Sequence, residues 1–188
     1  MTATHPAVSL EQRIRRLEDR IEIGELISRY GLAMDDRDMA TLPDLFTADV
    51  VIRARDGSMS ASGRDAAVAM FRRRLAALGP SNHVTHDRII SFDDAQPDVA
   101  QGIVLSHAEL SLRGVAKVAA IRYRDTYRRE NGHWRFGERE IAFMYFVDAV
   151  DYVDTLGPGV ALRNRVLGEP RRADWPEGGT TWKAFYGE

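Results

Sequence analysis

Residues 82–146 have the composition of β-strands almost throughout, and this long segment constrains the fold more than any other feature of the chain. Two turn signals interrupt it: "DDAQPD" at residues 93–98, and the dipeptide Asn131-Gly132, which is typical of a two-residue hairpin. Strands joined by such short turns pair antiparallel. The segment therefore predicts a long antiparallel meander.

The Asn131-Gly132 turn also predicts a strand register, because a two-residue loop pairs Glu130 with His133. Counting outward gives the pairs Tyr127–Phe136, Tyr123–Glu140 and Ile121–Ala142. One face of this hairpin is then apolar, and it consists of Ile121, Tyr123, Tyr127, Phe136, Ala142 and Met144. The other face, which we expect to meet solvent, carries Arg122, Arg124, Arg128, Arg135 and Arg139.

The same register places Asp125 opposite Glu138, a like-charge pair that is unfavourable when buried. Three arrangements would relieve it: an arginine from a neighbouring strand, a proton held by one carboxyl, or a position at a wet edge. A bulge near the turn would instead shift the pairing by one residue and turn the arginines inward.

Helices precede the strands. Ser9 and Gln12 form a potential capping box for a helix that extends to about Arg37. Its apolar residues form two stripes on different faces: Leu10, Ile14, Leu17 and Ile21, then Ile23, Ile27, Tyr30 and Met34. The first stripe would pack on another chain or on the far side of the domain, unless the helix breaks near Glu22. A hairpin at Asp56-Gly57 and an amphipathic helix in "RDAAVAMFRRRLAAL" follow, so the order of elements predicts an α+β domain.

Composition excludes several classes of protein. The 188 residues suffice for one domain with a substantial core, and the absence of cysteine excludes disulfides, thiolate metal sites and a cysteine nucleophile. No apolar run approaches the ~20 residues of a membrane span, and no signal peptide is apparent, so we expect a cytoplasmic protein. The net charge of −2 argues against nucleic-acid binding.

The last segment, residues 147–188, is rich in turn-forming residues and contains the aromatic residues Trp175, Trp182, Phe185 and Tyr186. Exposed aromatic rings are unfavourable in a free tail. We therefore expect residues 147–188 to be an extension that docks on the domain or on a neighbouring subunit.

Three stretches carry a family resemblance: "ISRYGLAMDDRDMATLPDLFTADVVI", "HVTHDRI" and "YRRENGHWRFGEREI". Together they resemble the SnoaL-like branch of the NTF2-like superfamily, over residues 10–146. The resemblance implies a cone at residues 1–146, in which N-terminal helices pack on a curved antiparallel sheet around a pocket. Relatives include dehydratases, a dehydrochlorinase, ketosteroid isomerase, polyketide cyclases and small subunits of ring-hydroxylating dioxygenases. One fold with so many activities does not identify the reaction.

The resemblance also implies candidate catalytic residues. Tyr30, Asp35 and His83 stand where dehydratase-type members carry a tyrosine, an aspartate and a strand histidine. His107 matches a second strand histidine of such enzymes and, with Tyr123 and Phe143, is a candidate substrate-binding residue. Near Phe143 the sequence departs from the bile acid dehydratase pattern, which has an arginine there.

The chemistry of these side chains is consistent with elimination, which needs a base for a proton and an acid for the leaving group. A histidine hydrogen-bonded to a carboxylate has a defined tautomer and a stabilised protonated form. Tyr30 could donate to a developing oxyanion. We expect neither a cofactor nor a metal, since His83 and His86 occupy alternate faces of a strand and form a poor ligand pair.

Each candidate also has a purely structural interpretation. His83 fits an ordinary half-buried strand histidine, His107 a hydrogen-bonded core residue, and Tyr30 a core aromatic. An ideal helix places Asp35 about a third of a turn from Tyr30. Asp36 and Asp38 compete with Asp35, although Asp38 is more simply a helix cap.

These residues predict a cofactor-free, metal-independent acid–base lyase that acts on a small hydrophobic cyclic molecule such as a polyketide, steroid or terpenoid. The alternatives are an isomerase or cyclase with the same His–Asp pair, and a non-catalytic subunit or ligand-binding protein. The first helical stripe and the aromatic tail predict a homo-oligomer, first a trimer and otherwise a dimer.

Overall fold

A curved six-stranded sheet, covered on its inner face by two helices, forms the body of the protein. The structure is a computed structural model and describes residues 9–157 and 159–187. The helices are α1 (Leu10–Asp35), α2 (Arg64–Leu75), α3 (Tyr152–Thr155) and α4 (Thr180–Tyr186). The strands are β1 (Phe46–Ala54), β2 (Ser60–Ser62), β3 (Leu78–Asp93), β4 (Gln96–Leu112), β5 (Val115–Glu130) and β6 (His133–Asp148).

The strand order is β2-β1-β6-β5-β4-β3. The predicted antiparallel meander corresponds to β3 through β6, but β1 lies parallel to β6, so the sheet is mixed and not wholly antiparallel. Four other strands and α2 separate β1 from β6 along the chain, and no hairpin turn sets their relative direction. The α+β class is confirmed.

The β5–β6 turn has the predicted form. Asn131 and Gly132 have φ angles of 53° and 83°, as a type I′ turn requires. The pairs Glu130–His133 and Tyr127–Phe136 are confirmed. A second turn of this kind, Arg113-Gly114 with φ angles of 52° and 81°, joins β4 to β5. The sequence did not predict it, because arginine is not a residue that marks such turns.

From Glu138 to Phe143 the predicted register is wrong by one residue, and a second register shift follows between Ile121 and Ala120. The register shifts between Tyr127 and Thr126, so that Thr126 pairs with Glu138 and Gly137 is the extra residue of a bulge in β6. The observed pairs are Tyr123–Ile141 and Ile121–Phe143, in place of Tyr123–Glu140 and Ile121–Ala142. Ile141 and Phe143 therefore take the inner-face positions predicted for Ala142 and Met144, and Met144 packs against Ala120, Tyr145 and Val147.

The bulge also turns the Arg139 side chain from the outer to the inner face of the sheet. This side chain was predicted to face solvent, but only 1% of it is exposed, and it pairs with Asp125. The predicted Asp125–Glu138 pair does not form. The structure instead has the stated alternative, a bulge that shifts the pairing by one residue, and this bulge turns Arg139 inward to face Asp125.

Helix α1 begins with the predicted capping box: the Gln12 N–H donates to Ser9 Oγ (3.1 Å), and the Ser9 N–H donates to Gln12 Oε1 (2.9 Å). The helix continues without a break at Glu22. Its second stripe, which includes Tyr30, is buried against the sheet, whereas Leu10, Ile14, Leu17 and Ile21 are 49–70% exposed. None of the described helices has the length and apolar character needed to cross a membrane.

Residues 163–175 contact the domain through main-chain hydrogen bonds. The Phe146 N–H donates to Arg163 O (3.0 Å), and the Asp174 N–H donates to Phe143 O (2.8 Å). Asn164 is fully buried and donates from Nδ2 to Asp56 Oδ2 (2.8 Å). Farther along, Phe185 and Tyr186 on α4 are exposed.

We predict that Gly102→Ala destabilises the fold by about 1–3 kcal/mol, the usual cost of overpacking. A Cβ at Gly102 would lie 2.6 Å from Cε2 of Tyr127, a fully buried ring that cannot retreat into solvent. Urea denaturation measures the loss. Gly178→Ala is the control, because its Cβ would meet its nearest neighbour at 3.8 Å. Equal stability of the two variants would contradict the prediction.

Candidate active site

A cavity of about 620 Å³ lies between the helices and the inner face of the sheet. This volume is typical of a small-molecule site. Most of its wall is apolar, and the apolar side chains include Met34, Met59, Phe71, Leu75, Leu78, Leu110, Ile121, Ile141, Phe143, Val166 and Leu167. The polar side chains in the wall include Tyr30, His83 and Tyr123. The cavity is thus suited to a largely apolar molecule that meets a few polar groups.

His83, which lines the cavity, forms a hydrogen-bonded pair with Asp35, which does not line it. His83 Nδ1 lies 2.6 Å from Asp35 Oδ1, and both side chains are largely buried. Asp35 is the last residue of α1, and His83 lies on β3, which packs directly against that helix. The structure therefore brings together two residues that the sequence nominated, while their catalytic role remains a prediction.

Further hydrogen bonds hold the Asp35 carboxylate in place. Oδ1 also accepts from Ser81 Oγ (2.8 Å), and Oδ2 accepts from the His83 N–H (2.6 Å). Burial raises the pKa of Asp35, but the hydrogen bonds from the His83 ring, the His83 N–H and Ser81 outweigh it and keep this pKa below its ordinary value. Asp35 is therefore ionised at neutral pH.

The end of α1 explains how Asp35 reaches this position. Asp36 is the C-cap, and Arg37 follows with a positive φ of 60°, which turns the chain out of the helix. The Arg37 guanidinium donates to Ser81 Oγ (2.8 Å) and to Gly79 O (2.5 Å), so it ties the helix end to β3. Asp38 accepts from the N–H groups of Ala40 and Thr41, as expected of a cap.

The ionised carboxylate determines which nitrogen of His83 carries the hydrogen. Because a carboxylate only accepts, the neutral imidazole donates from Nδ1. Nε2 is then unprotonated, and no described residue forms a hydrogen bond with it. This nitrogen is available to take a proton from a molecule in the cavity.

Tyr30 lies in the cavity wall among aromatic rings. Its ring packs edge-on against Phe71 (6.0 Å between centroids), Phe136 (5.7 Å) and Tyr123 (6.4 Å). Burial raises the pKa of Tyr30, and the nearby Arg139 guanidinium offsets only part of this rise. Tyr30 is consequently a neutral hydroxyl that can donate a hydrogen bond.

A buried ion pair that the sequence did not predict lies behind Tyr30. Arg139 donates from Nε to Asp125 Oδ1 (2.9 Å) and from Nη2 to Asp125 Oδ2 (2.7 Å), and Tyr127 Oη donates to the same carboxylate (2.8 Å). The guanidinium lies 4.1–4.2 Å from the ring centroids of Tyr30, Tyr123 and Phe136. Burial lowers the pKa of Arg139, but Asp125 outweighs it and raises this pKa above its ordinary value. The one sequence signal for this arrangement is Gly137, since a glycine inside a strand can mark a bulge.

The candidate substrate-binding residues divide between the two faces of the sheet. Tyr123 and Phe143 line the cavity. His107 does not: it is exposed on the outer face, where its Nδ1 lies 2.6 Å from His86 Nε2. The inward position next to His83 belongs to Ala108, with which His83 pairs across the strands. The structure therefore places His107 outside the cavity, because strand alternation turns it outward, and its role in substrate binding stays a prediction.

Within residues 9–157 and 159–187, no three histidine, aspartate or glutamate side chains are grouped closely enough to hold a metal ion. His86 and His107 are two such side chains without a third.

Comparison with known proteins establishes the family. The model of the SnoaL-like domain matches residues 15–140, which is more than half of the chain. This protein belongs to the SnoaL-like family. The match ends before β6 does, so residues 141–188 lie outside it. No curated protein matches the sequence.

Solved structures share the fold at low sequence identity. Hexachlorocyclohexane dehydrochlorinase LinA-type3 from Novosphingobium barchaimii is 21% identical, with a TM-score of 0.66, and the match covers 72% of this chain and 93% of that chain. A proposed scytalone dehydratase from Novosphingobium aromaticivorans is 20% identical, with a TM-score of 0.66 and coverage of 72% and 91%. An NTF2-like protein with a cystatin-like fold, also from N. aromaticivorans, is 30% identical, with a TM-score of 0.58 and coverage of 72% and 90%. The expected NTF2-like fold is thus confirmed.

We predict that Arg139→Met lowers the free energy of unfolding by about 3–5 kcal/mol, because it leaves the buried Asp125 carboxylate without its cation. The double variant Arg139→Met with Asp125→Leu should recover part of this loss, since it removes the unpaired charge as well. Urea denaturation at pH 7 provides the measurement.

Arg53→Met is the matched control for this ion pair. Arg53 pairs with Glu140 (3.3 Å) on the same sheet, but its side chain is 48% exposed. Removing this pair should therefore lower the free energy of unfolding by about 0–1 kcal/mol. Similar losses for Arg53→Met and Arg139→Met would show that the buried pair has no special role in stability.

Proposed function

We propose that this protein is a metal- and cofactor-independent acid–base lyase that carries out a dehydratase-type elimination on a small hydrophobic cyclic molecule. One observation carries the proposal: His83, which is hydrogen-bonded to Asp35 and has an unengaged Nε2, lines a mostly apolar cavity of about 620 Å³. The class of substrate follows from the apolar wall, and the class of reaction follows from the pair.

In the proposed reaction, His83 Nε2 removes a proton from the carbon next to a carbonyl group, and the Asp35 carboxylate stabilises the imidazolium that forms. The electron pair of the broken C–H bond forms an enolate, whose oxygen accepts a hydrogen bond from Tyr30. Collapse of the enolate forms the C=C bond and breaks the C–O bond of the hydroxyl. The leaving oxygen takes the proton from imidazolium and departs as water, so the enzyme returns to its starting state.

The structural relatives support an elimination reaction, but they do not specify its substrate or its leaving group. The LinA-type3 protein is named a dehydrochlorinase, and loss of hydrogen chloride, like loss of water, is an elimination. An isomerase or cyclase would share the first proton transfer, and analysis of the product distinguishes these reactions from elimination. A ligand-binding protein would bind the molecule without converting it.

We predict that His83→Ala and Asp35→Asn each reduce turnover by at least ~10²-fold, the usual contribution of a positioned acid or base. Purified protein is incubated with a panel of polyketide, steroid and terpenoid hydroxy-ketones, and product formation is followed by mass spectrometry. The variants should retain the native circular dichroism spectrum.

His86→Ala is the matched control, because His86 lies on the outer face of β3, away from the cavity. It should turn over within about twofold of the wild-type rate. Turnover that survives His83→Ala, or that depends on added metal or nicotinamide, would refute the mechanism.

We also propose a homo-oligomer, first a trimer and otherwise a dimer. Its basis is the row of exposed apolar side chains on α1, namely Leu10, Ile14, Leu17 and Ile21, together with exposed Phe185 and Tyr186 on α4. We predict an oligomeric mass by light scattering at micromolar concentration. The double variant Leu17→Glu with Ile21→Glu should reduce this mass, because it places charge on the apolar row. A monomeric mass for the wild-type protein would refute the proposal.

A further inference from the structure

We infer that the molecule bound in the cavity carries an anionic group, which pairs with Arg74 and Arg113 while its apolar body fills the remaining space. This inference rests on the proposed function of the same cavity, and it adds the charge of the substrate. It is based on the number of cations in the wall, on their partners, and on the position of two of them.

The cavity wall is positively charged. Four cationic side chains line it, namely Arg74, Arg113, Lys117 and Arg165, and the lining contains no aspartate or glutamate. Lys117 is paired with Asp148, and Arg165 with Asp151 (2.8 Å). For Arg74 and Arg113, no carboxylate of the described residues lies within ion-pair distance. These two arginines of the wall therefore make no direct ion pair with a described carboxylate.

Arg74 is the deeper of the two. It is half-buried in the last turn of α2, one turn beyond Phe71, whose ring packs against Tyr30. Its guanidinium makes one hydrogen bond to a described residue, from Nη1 to Ser58 O (3.1 Å). Burial lowers the pKa of Arg74, with only partial compensation from Asp56. Burying a charge without a counter-ion is costly, so a ligand anion at this position would relieve that cost.

Arg113 occupies a position that does not favour arginine. It is the first residue of the type I′ turn between β4 and β5 and has a φ of 52°, a conformation that suits asparagine, aspartate or glycine. Its side chain lines the cavity and is exposed. The Arg113 N–H donates to Ala77 O (3.3 Å), three residues after Arg74, so both arginines belong to the same end of the cavity.

Together these residues describe a site with two parts. An arginine presents a planar fork of donors that matches a carboxylate or a phosphate. The other residues of the lining are predominantly apolar. The bound molecule therefore has a charged end and an apolar body, as in a cyclic compound that bears a carboxylate.

Equilibrium binding of matched probes tests the inference on the full-length protein. The probes are benzoate, 1-naphthoate and 9-anthracenecarboxylate, each compared with its primary amide, and affinities are measured by isothermal titration calorimetry. We expect at least one carboxylate to bind about tenfold or more tightly than its amide. Added salt should weaken binding of the carboxylate but not of the amide.

The variants identify the groups responsible. Arg74→Gln and Arg113→Gln should each weaken carboxylate binding by about tenfold and leave amide binding within twofold, which also shows that the cavity is intact. Arg73→Gln is the control: it removes the same charge from an exposed neighbour on α2 that does not line the cavity. Inorganic phosphate is added as a competitor to test whether any anion is recognised. We expect phosphate not to displace the bound probe at low concentration, whereas a second aromatic carboxylate should displace it.

Three outcomes would overturn the inference: equal affinity for every acid and its amide, failure of all the carboxylates to bind, or a preference that persists in the Arg74→Gln/Arg113→Gln double variant. The test needs no turnover. A protein that prefers carboxylates but converts no substrate would refute the proposed lyase and leave this inference standing. An active enzyme that binds each carboxylate no more tightly than its amide would refute this inference and leave the proposed lyase standing.

Discussion

The fully buried Asp125–Arg139 ion pair holds together the aromatic rings on one side of the cavity. Arg139 contacts the rings of Tyr30, Tyr123 and Phe136 and thereby supports two of the polar side chains that line the cavity. Further hydrogen bonds stabilise a buried ion pair, and Tyr127 supplies one to Asp125, whereas the buried Arg139 Nη1 has no hydrogen-bond partner among the described residues. Gly102 makes room for the Tyr127 ring, so a small residue on β4 is part of the same arrangement.

The candidate catalytic pair depends on a different contact, the one between the end of α1 and β3. Asp35 is held by His83 and Ser81, and Arg37 ties the chain after the helix to the same strand. Both partners of the proposed acid–base chemistry are therefore fixed by neighbours before any ligand binds. Preorganisation of this kind reduces the rearrangement that a reaction requires.

The wall of the cavity combines the family domain with residues outside the family match. Val166 and Leu167 line the cavity, and the main-chain hydrogen bonds between Phe146 and residues 163 and 165 hold the segment that contains them. Arg165 also belongs to the wall and is paired with Asp151. The proposed reaction uses residues of the family domain, whereas residues 165–168, outside the family match, form part of the cavity wall.

The sequence by itself determined the elements whose signals are local: the capping box at Ser9, the turn at Asn131-Gly132, and the order of helices and strands. The resemblance to a known family added Tyr30, Asp35 and His83, which the structure places in or beside one cavity. Only the tertiary structure decided which way Arg139 and His107 face. The bulge at Gly137 turns Arg139 inward, and a second register shift between Ile121 and Ala120 limits this reversal to the middle of β6. His107 faces outward because the helices cover the face of β4 that carries Ala108 and Val104. The pairing of Asp125 with Arg139, and the grouping of Arg74 with Arg113, depend on contacts between residues distant in the chain, which no local pattern encodes.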